Sequence, residues 1–165
     1  MAAPRLDDTA YDVAPRDDIR TWLRLVKAVL PMEREVNRMF QHEFGQSLPR
    51  FDVLSQLERS RPGGHAVGVL ADLLIASAGN ITRLISRMED EGLVHRTMAD
   101  GDRRRQIVVI TNKGLDLYRT MEDRHTRWCV ERMAGLSADE KADLQRLLIK
   151  LRATRPENVE NSRQG

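Results

Sequence analysis

Hydrophobic positions recur at three- and four-residue spacings along most of the chain, the period of an amphipathic helix. Between Ala78 and Glu91 they fall at Ile81, Leu84, Ile85 and Met88, leaving Asn80, Thr82, Arg83, Ser86 and Arg87 for the opposite face. Ser77 stands just before this run, where its hydroxyl can accept a hydrogen bond from a free amide of the first turn. Gly92 follows it and can take the left-handed conformation that ends a helix. A shorter helical pattern, Val67 to Leu74, precedes it across a tight Ala76-Ser77 corner. Leu93 to Arg96 and Gln106 to Thr111 read as strands of a hairpin whose tip, Ala99 to Arg105, carries three consecutive arginines. A short helix, a polar-faced helix and a basic hairpin predict a winged helix-turn-helix, an architecture that reads duplex DNA.

Longer helical patterns flank this segment. The first starts at Asp17-Asp18, with both carboxylates near its positive end. It carries Ile19, Trp22, Leu23, Val26, Val29 and Leu30, meets Pro31, and resumes through Val36, Met39, Phe40 and Phe44 before Gly45. Proline lacks an amide hydrogen and crowds the preceding turn, so the pattern predicts one kinked helix or two abutting ones. Leu48 to Ser60 follows, with Leu48, Phe51, Leu54 and Leu57 facing inward, and Arg61-Pro62-Gly63-Gly64 makes a loop. Lys113 to Met133 places Leu115, Tyr118, Met121, His125, Trp128 and Cys129 on roughly one side. Ser137 and Glu140 have capping-box spacing and open a last helix striped by Leu144, Leu147, Leu148 and Leu151.

The fold class is therefore mainly α (α+β). A flexible arm spans 1–16, N-terminal dimerisation helices 17–47, the winged core 48–111, C-terminal dimerisation helices 112–154, and a flexible tail 155–165. The terminal helices are more apolar than so small a core can cover, which points to a second copy of the chain. Closure of these helices on themselves in a monomer is the alternative.

Composition adds bounds. At 165 residues, 41% hydrophobic and 32% charged, the chain has the make-up of one globular domain with a real core. A net charge of +2 does not announce a nucleic-acid binder, so the charges must act by placement. The single cysteine, Cys129, excludes an internal disulfide framework. No apolar run is long enough to span a bilayer, and residues 1–20 lack a signal-peptide apolar core, so no membrane partner and a cytoplasmic location are expected. Enzymatic patterns fail. His42-Glu43-Phe44-Gly45 begins like a zinc-protease motif, but Gln46 stands where the second ligand belongs. Gly63-Gly64 with Gly68 has no phosphate-loop ending. His125 and Cys129 share a helix face without a third ligand nearby in sequence, so packing suits them better. No catalytic residue, metal or cofactor is expected.

The contact chemistry is more specific. Arg83 and Arg87 lie four apart on one helix face, and either guanidinium can bond guanine bidentately or clamp a phosphate. Their competing roles are ion pairs, of Arg83 with Glu89 or a wing acid and of Arg87 with Glu91. Ser77, Asn80, Thr82 and Ser86 suit base-edge or phosphate contact. Arg103, Arg104 and Arg105 cannot all face one way, because side chains alternate along a strand.

The run LADLLIASAGNITRLISRMEDEGLVHR, with DGDRRRQIVVIT and Lys113-Gly114, resembles the DNA-binding core of the MarR family of bacterial transcriptional regulators. The matching positions are Leu70-Ala71, Leu73, Thr82-Arg83-Leu84, Met88-Glu89, Gly92-Leu93-Val94, Arg96, Asp102, Arg104, Ile110-Thr111 and Gly114. Ile110 replaces the usual leucine at conserved volume. The resemblance implies a two-fold dimer of interlocking terminal helices over palindromic double-stranded DNA. It assigns Arg104 to the minor groove, where a narrow A·T tract attracts a cation, and makes Asp102 an organiser of the wing. It also implies a small, anionic aromatic effector between the dimerisation helices and the winged core. The candidate crevice residues are Trp22, Arg24, His42, Phe51, Asp52, Arg83 and Arg96; urate-responsive members use a Trp, an Asp and two Arg in broadly these elements, and phenolic acids or aromatic thioesters are equally admissible effectors. The function expected is a ligand-responsive, sequence-specific repressor. The alternative is a redox-switched or ligand-independent architectural DNA-binding protein, although Cys129 sits where a buried, inert thiol is expected.

Overall fold

A computed structural model of the protein describes residues 14–74, 76–99 and 102–154, without the side chains of 14, 15, 99 and 102–105. Six helices and a hairpin follow in order: α1 (Ala14–Phe44), α2 (Leu48–Arg59), α3 (Val67–Leu73), α4 (Ala78–Asp90), β1 (Val94–Ala99), β2 (Asp102–Ile110), α5 (Asn112–Arg132) and α6 (Ala138–Ala153). The chain divides into two compact units, one ending at His125 and one beginning at Thr126. The mainly helical fold with a small sheet is the class the periodicity predicts.

α1 is one helix through Pro31, one of the two forms expected, but it starts at Ala14, inside the stretch expected to be an arm. Pro15 stands in its first turn, where the missing amide costs no hydrogen bond and the fixed φ favours the helix. The rest of the expected arm, and the expected tail from 155, lie outside the described residues. Gly45, at φ +63, ends the helix as its position suggests.

The core of the first unit forms around α2 and α4. Phe40, Val53, Leu54, Leu57, Leu70, Ile85, Met88, Val94, Val108 and Met121 are fully buried. Phe51 is buried with its ring centroid 4.9 Å from Phe40, 5.1 Å from His125 and 5.5 Å from Tyr118. α3 and α4 bend through 114° across their turn, within the helix-turn-helix range.

The hairpin reaches further toward its tip than expected, so the arginines stand on strand backbone and not in a loop. β1 and β2 pair in regular register from Val94–Ile110 to Met98–Gln106, after which Ala99 pairs with Asp102. Residues 103–105 fill that irregularity. Strict alternation of side chains does not hold across such a bulge. A third, short segment joins the sheet where His65 exchanges backbone hydrogen bonds of 3.0 and 2.8 Å with Val108.

Thr111 ties the sheet to α5. Its hydroxyl accepts from the Gly114 amide at 3.0 Å and donates to the Gly92 carbonyl at 2.7 Å. Gly114 packs so closely that a Cβ there would lie 2.1 Å from the Leu93 carbonyl oxygen. In the second unit, α6 opens on the expected capping box. The Glu140 amide donates to Ser137 Oγ at 3.2 Å, and the Ser137 amide donates to Glu140 Oε2 at 2.8 Å.

Gly114→Ala is expected to destabilise by about 1–3 kcal/mol, since backbone must move to admit the methyl, with roughly 2–4 °C of Tm lost per kcal/mol. Gly79→Ala, whose Cβ would meet nothing within 4 Å, should hold or raise Tm through helix propensity. Equal melting losses in the two variants would contradict the Gly114 packing.

Candidate nucleic-acid interface

α4 owes its direction to its two ends. The Asn80 amide donates to Ser77 Oγ at 3.3 Å, capping the start. At the other end the Gly92 amide donates to the Glu89 carbonyl at 2.8 Å and the Leu93 amide to the Met88 carbonyl at 2.9 Å, with Gly92 at φ +72. That pattern is a Schellman motif, which glycine closes without a Cβ clash. Ile81, Ile85 and Met88 are buried on the inner face, while Leu84 is half-buried.

The outer face presents Ser77, Asn80, Thr82, Arg83 and Arg87, all exposed. Arg83 Nη2 donates to Asn80 Oδ1 at 2.7 Å, so the amide and guanidinium are held together one turn apart. Thr82 Oγ1 donates back to the Ala78 carbonyl at 2.8 Å. Arg83 forms no ion pair with Glu89, nor Arg87 with Glu91, because both carboxylates are occupied elsewhere. Pro49, Ala76, Asn80, Ile81, Arg83, Leu84 and Arg87 line an open concavity of about 480 Å³. Its apolar floor and two guanidinium groups suit a flat anion or a phosphate.

Ser86 stands apart from the other residues of that face. It is half-buried, and its hydroxyl accepts from Arg96 Nη2 at 3.0 Å. It therefore belongs to the seam between α4 and the hairpin, because its helical angle lies at the edge of the exposed face. Arg96 belongs to the same seam. Its backbone amide donates to Glu89 Oε1 at 2.9 Å, and its guanidinium pairs with Glu89 Oε2. The Arg103, Arg104, Arg105 and Asp102 side chains lie outside the described residues.

The seven expected effector residues are spread over α1, α2, α4 and β1. Trp22 and Arg24 are exposed on α1, His42 is exposed near its end, and Phe51 is consumed by the aromatic core. Among them Arg83 alone lines the concavity. Asp52 is different. Burial, and then the nearby Glu33 carboxylate, push its carboxyl up to about 6. No cation is paired with it among the described residues. Arg50 is the residue that pattern reading missed. It spans from α2 to the end of α4, and nothing local in the sequence marks a partner 41 positions away. Among the described residues no cluster of three or more metal-ligating side chains assembles, and no single helix is long and apolar enough to cross a membrane.

Comparison with known proteins follows the same lines. The MarR family model matches residues 44–105. The chain is 31% identical to the transcriptional activatory protein BadR of Rhodopseudomonas palustris over 123 residues, 73% of this chain and 70% of that protein. It is 26% identical to the HTH-type transcriptional regulator PecS of Dickeya dadantii over 138 residues, 83% of this chain and 81% of that one. Sco3205, a MarR family transcriptional regulator from Streptomyces coelicolor solved in complex with DNA, shares the fold at a TM-score of 0.76. That likeness covers 97% of both chains at 18% identity.

The raised Asp52 pKa carries a sign. The folded state disfavours the charged form, so its stability is fullest below the unfolded value of about 4 and is lost as pH rises through about 6. Asp52→Asn removes the charge and keeps the shape. It should stabilise the fold at pH 8 by on the order of 1 kcal/mol after allowing for partial exposure, read as a higher Tm, and leave pH 4 nearly unchanged. A stability gain equal at both pH values would refute the titration.

Proposed function

The chain belongs to the MarR family of transcriptional regulators, and from that premise we propose that it is a dimeric, sequence-specific repressor on palindromic duplex DNA, released by a small anionic aromatic effector. The observation that carries this reading is the outer face of α4, where Asn80, Arg83 and Arg87 stand exposed while neighbouring acids are bound elsewhere. Arg83 lies nearer the end that a helix-turn-helix points at bases, so it is the base reader; Arg87, one turn on, takes backbone. Ser77, Asn80 and Thr82 add contacts at the helix start. Arg103, Arg104 and Arg105 belong to the wing contact, with Arg104 in the minor groove. The DNA complex of Sco3205 supports this use of the fold.

Dimerisation is supported by apolar surface in each unit. On α1, Ile19, Trp22, Leu23, Val29 and Leu30 are exposed, Trp22 by 62%. On α6 no residue is buried, and Leu144, Leu147, Leu148 and Leu151 face solvent. Exposed stripes of this length are interface surface in soluble proteins. A two-fold dimer explains them and sets the palindromic symmetry of the target.

The effector is best seated in the concavity under α4. An anionic aromatic there would lie on Ile81 and Leu84 and engage Arg83 and Arg87, the groups DNA needs. Its unequal affinity for free and DNA-bound protein would then release the operator.

Site selection from random duplexes tests the reader. Arg83→Ala should relax preference at one position per half-site at about 1–3 kcal/mol per contact, and Arg87→Ala should weaken all sequences alike. An Arg83 variant with the full selection profile and an early melt would move that residue to the scaffold. Leu147→Glu with Leu151→Glu should turn a dimer into a monomer in sedimentation. A wild-type chain sedimenting as a monomer, while binding the selected palindrome tightly, would remove the dimer from the proposal.

A further inference from the structure

Arg87 and Glu91 stand four apart, the spacing of a helical ion pair. Glu91 is the C-cap of α4, and its backbone stays helical at φ −82 and ψ −5. Its side chain therefore follows that of Arg87 by one turn. Left alone, the two would pair, and the guanidinium would be partly neutralised.

The structure shows another arrangement. Arg50 grips Glu91 with both arms of its guanidinium, Nη1 at 2.7 Å from Oε2 and Nη2 at 2.5 Å from Oε1. The same Nη1 donates to Gln46 Oε1 at 2.7 Å. Only 13% of the Arg50 side chain is exposed, against 45% for Glu91, so the fork is fixed before it meets the carboxylate. Lys113 Nζ donates to the Glu91 carbonyl at 2.8 Å and secures the backbone beneath. Hydrogen bonds from Arg50, chiefly, hold the Glu91 carboxyl below its ordinary range. A preorganised bidentate pair outcompetes a flexible pair on the helix surface, more so because Arg preceding Glu is the weaker helical order. Arg87 is left lining the concavity beside Arg83, with no ion pair among the described residues.

We propose that Arg50 is a positioning residue for DNA binding: it holds Glu91 away from Arg87 and so keeps the Arg87 guanidinium available to phosphate. In this proposal Arg50 acts through Glu91. The inference rests on Arg87 being a backbone contact.

The test is the salt dependence of binding to a random-sequence duplex, measured beside thermal melting. Arg50→Gln frees Glu91 to pair with Arg87, and the salt slope should fall in magnitude by about one unit per bound protomer. Arg50→Gln/Glu91→Gln also lacks the grip but has no carboxylate to compete, so the wild-type slope should return while Tm stays below wild type. That separation is one a merely structural role does not produce. Arg50→Met, which keeps the buried stem, replaces Arg50→Gln if the latter does not melt cooperatively. A folded Arg50 variant with the wild-type slope overturns the inference. So does a double variant as weak as the single one. Arg87→Ala separates the two levels. If it lowers the slope and Arg50→Gln does not, the inference alone fails; if Arg87→Ala leaves the slope unchanged, the reading beneath it fails and takes the inference with it.

Discussion

The seam between α4 and the hairpin is closed by one carboxylate, Glu89, which accepts from both the backbone amide and the guanidinium of Arg96 while that guanidinium also donates to Ser86. Charge-assisted bonds of this kind are short and directional. They fix β1 to α4 beside the Schellman turn at Gly92. Thr111 extends the same junction to α5 by bonding Gly92 and capping the Gly114 amide. Val94, Val108 and Ile110 of the hairpin are buried. The exposed face of α4 takes its direction from this seam.

With a net charge of +2, the surface acts by subtraction. Several arginines are committed to carboxylates: Arg96 to Glu89, Arg50 to Glu91, and Arg124 to Glu43, whose two oxygens accept from Arg124 Nε at 3.0 Å. These pairs are partly sheltered from solvent, so salt screens them less than exposed ones. Arg83 and Arg87 are left exposed on one helix face. A phosphate bound there would meet cations that pair with no acid among the described residues, so no such ion pair would have to break.

The apolar stripes of α1 and α6 obey a different constraint. Burial of hydrocarbon drives folding roughly in proportion to area, and both stripes stay exposed among the described residues. A helix with no buried residue, as α6 is, has little to hold it beyond its caps and local pairs such as Arg146–Asp143. The capping box at Ser137 keeps the helix formed, and a partner surface is what would give the leucines their burial.

Local periodicity determined most of the architecture. The helix-turn-helix, the hairpin, the stop at Gly92 and the box at Ser137 follow from interactions within five residues, which a sequence displays directly. The face carrying Asn80, Thr82, Arg83 and Arg87 was legible for the same reason. Three things were not. Ser86 lies at the edge of that face, and a helical angle does not say where a neighbouring strand will dock. The bulge holding residues 103–105 depends on how β1 pairs with β2, which alternation along one strand cannot reveal. The partner of Glu91 was hidden most completely, since Arg87 at four residues looked better than Arg50 at 41. Tertiary packing decided it by placing a sheltered, preorganised fork against the end of α4, and a fixed bidentate donor prevails over a mobile one nearer in sequence.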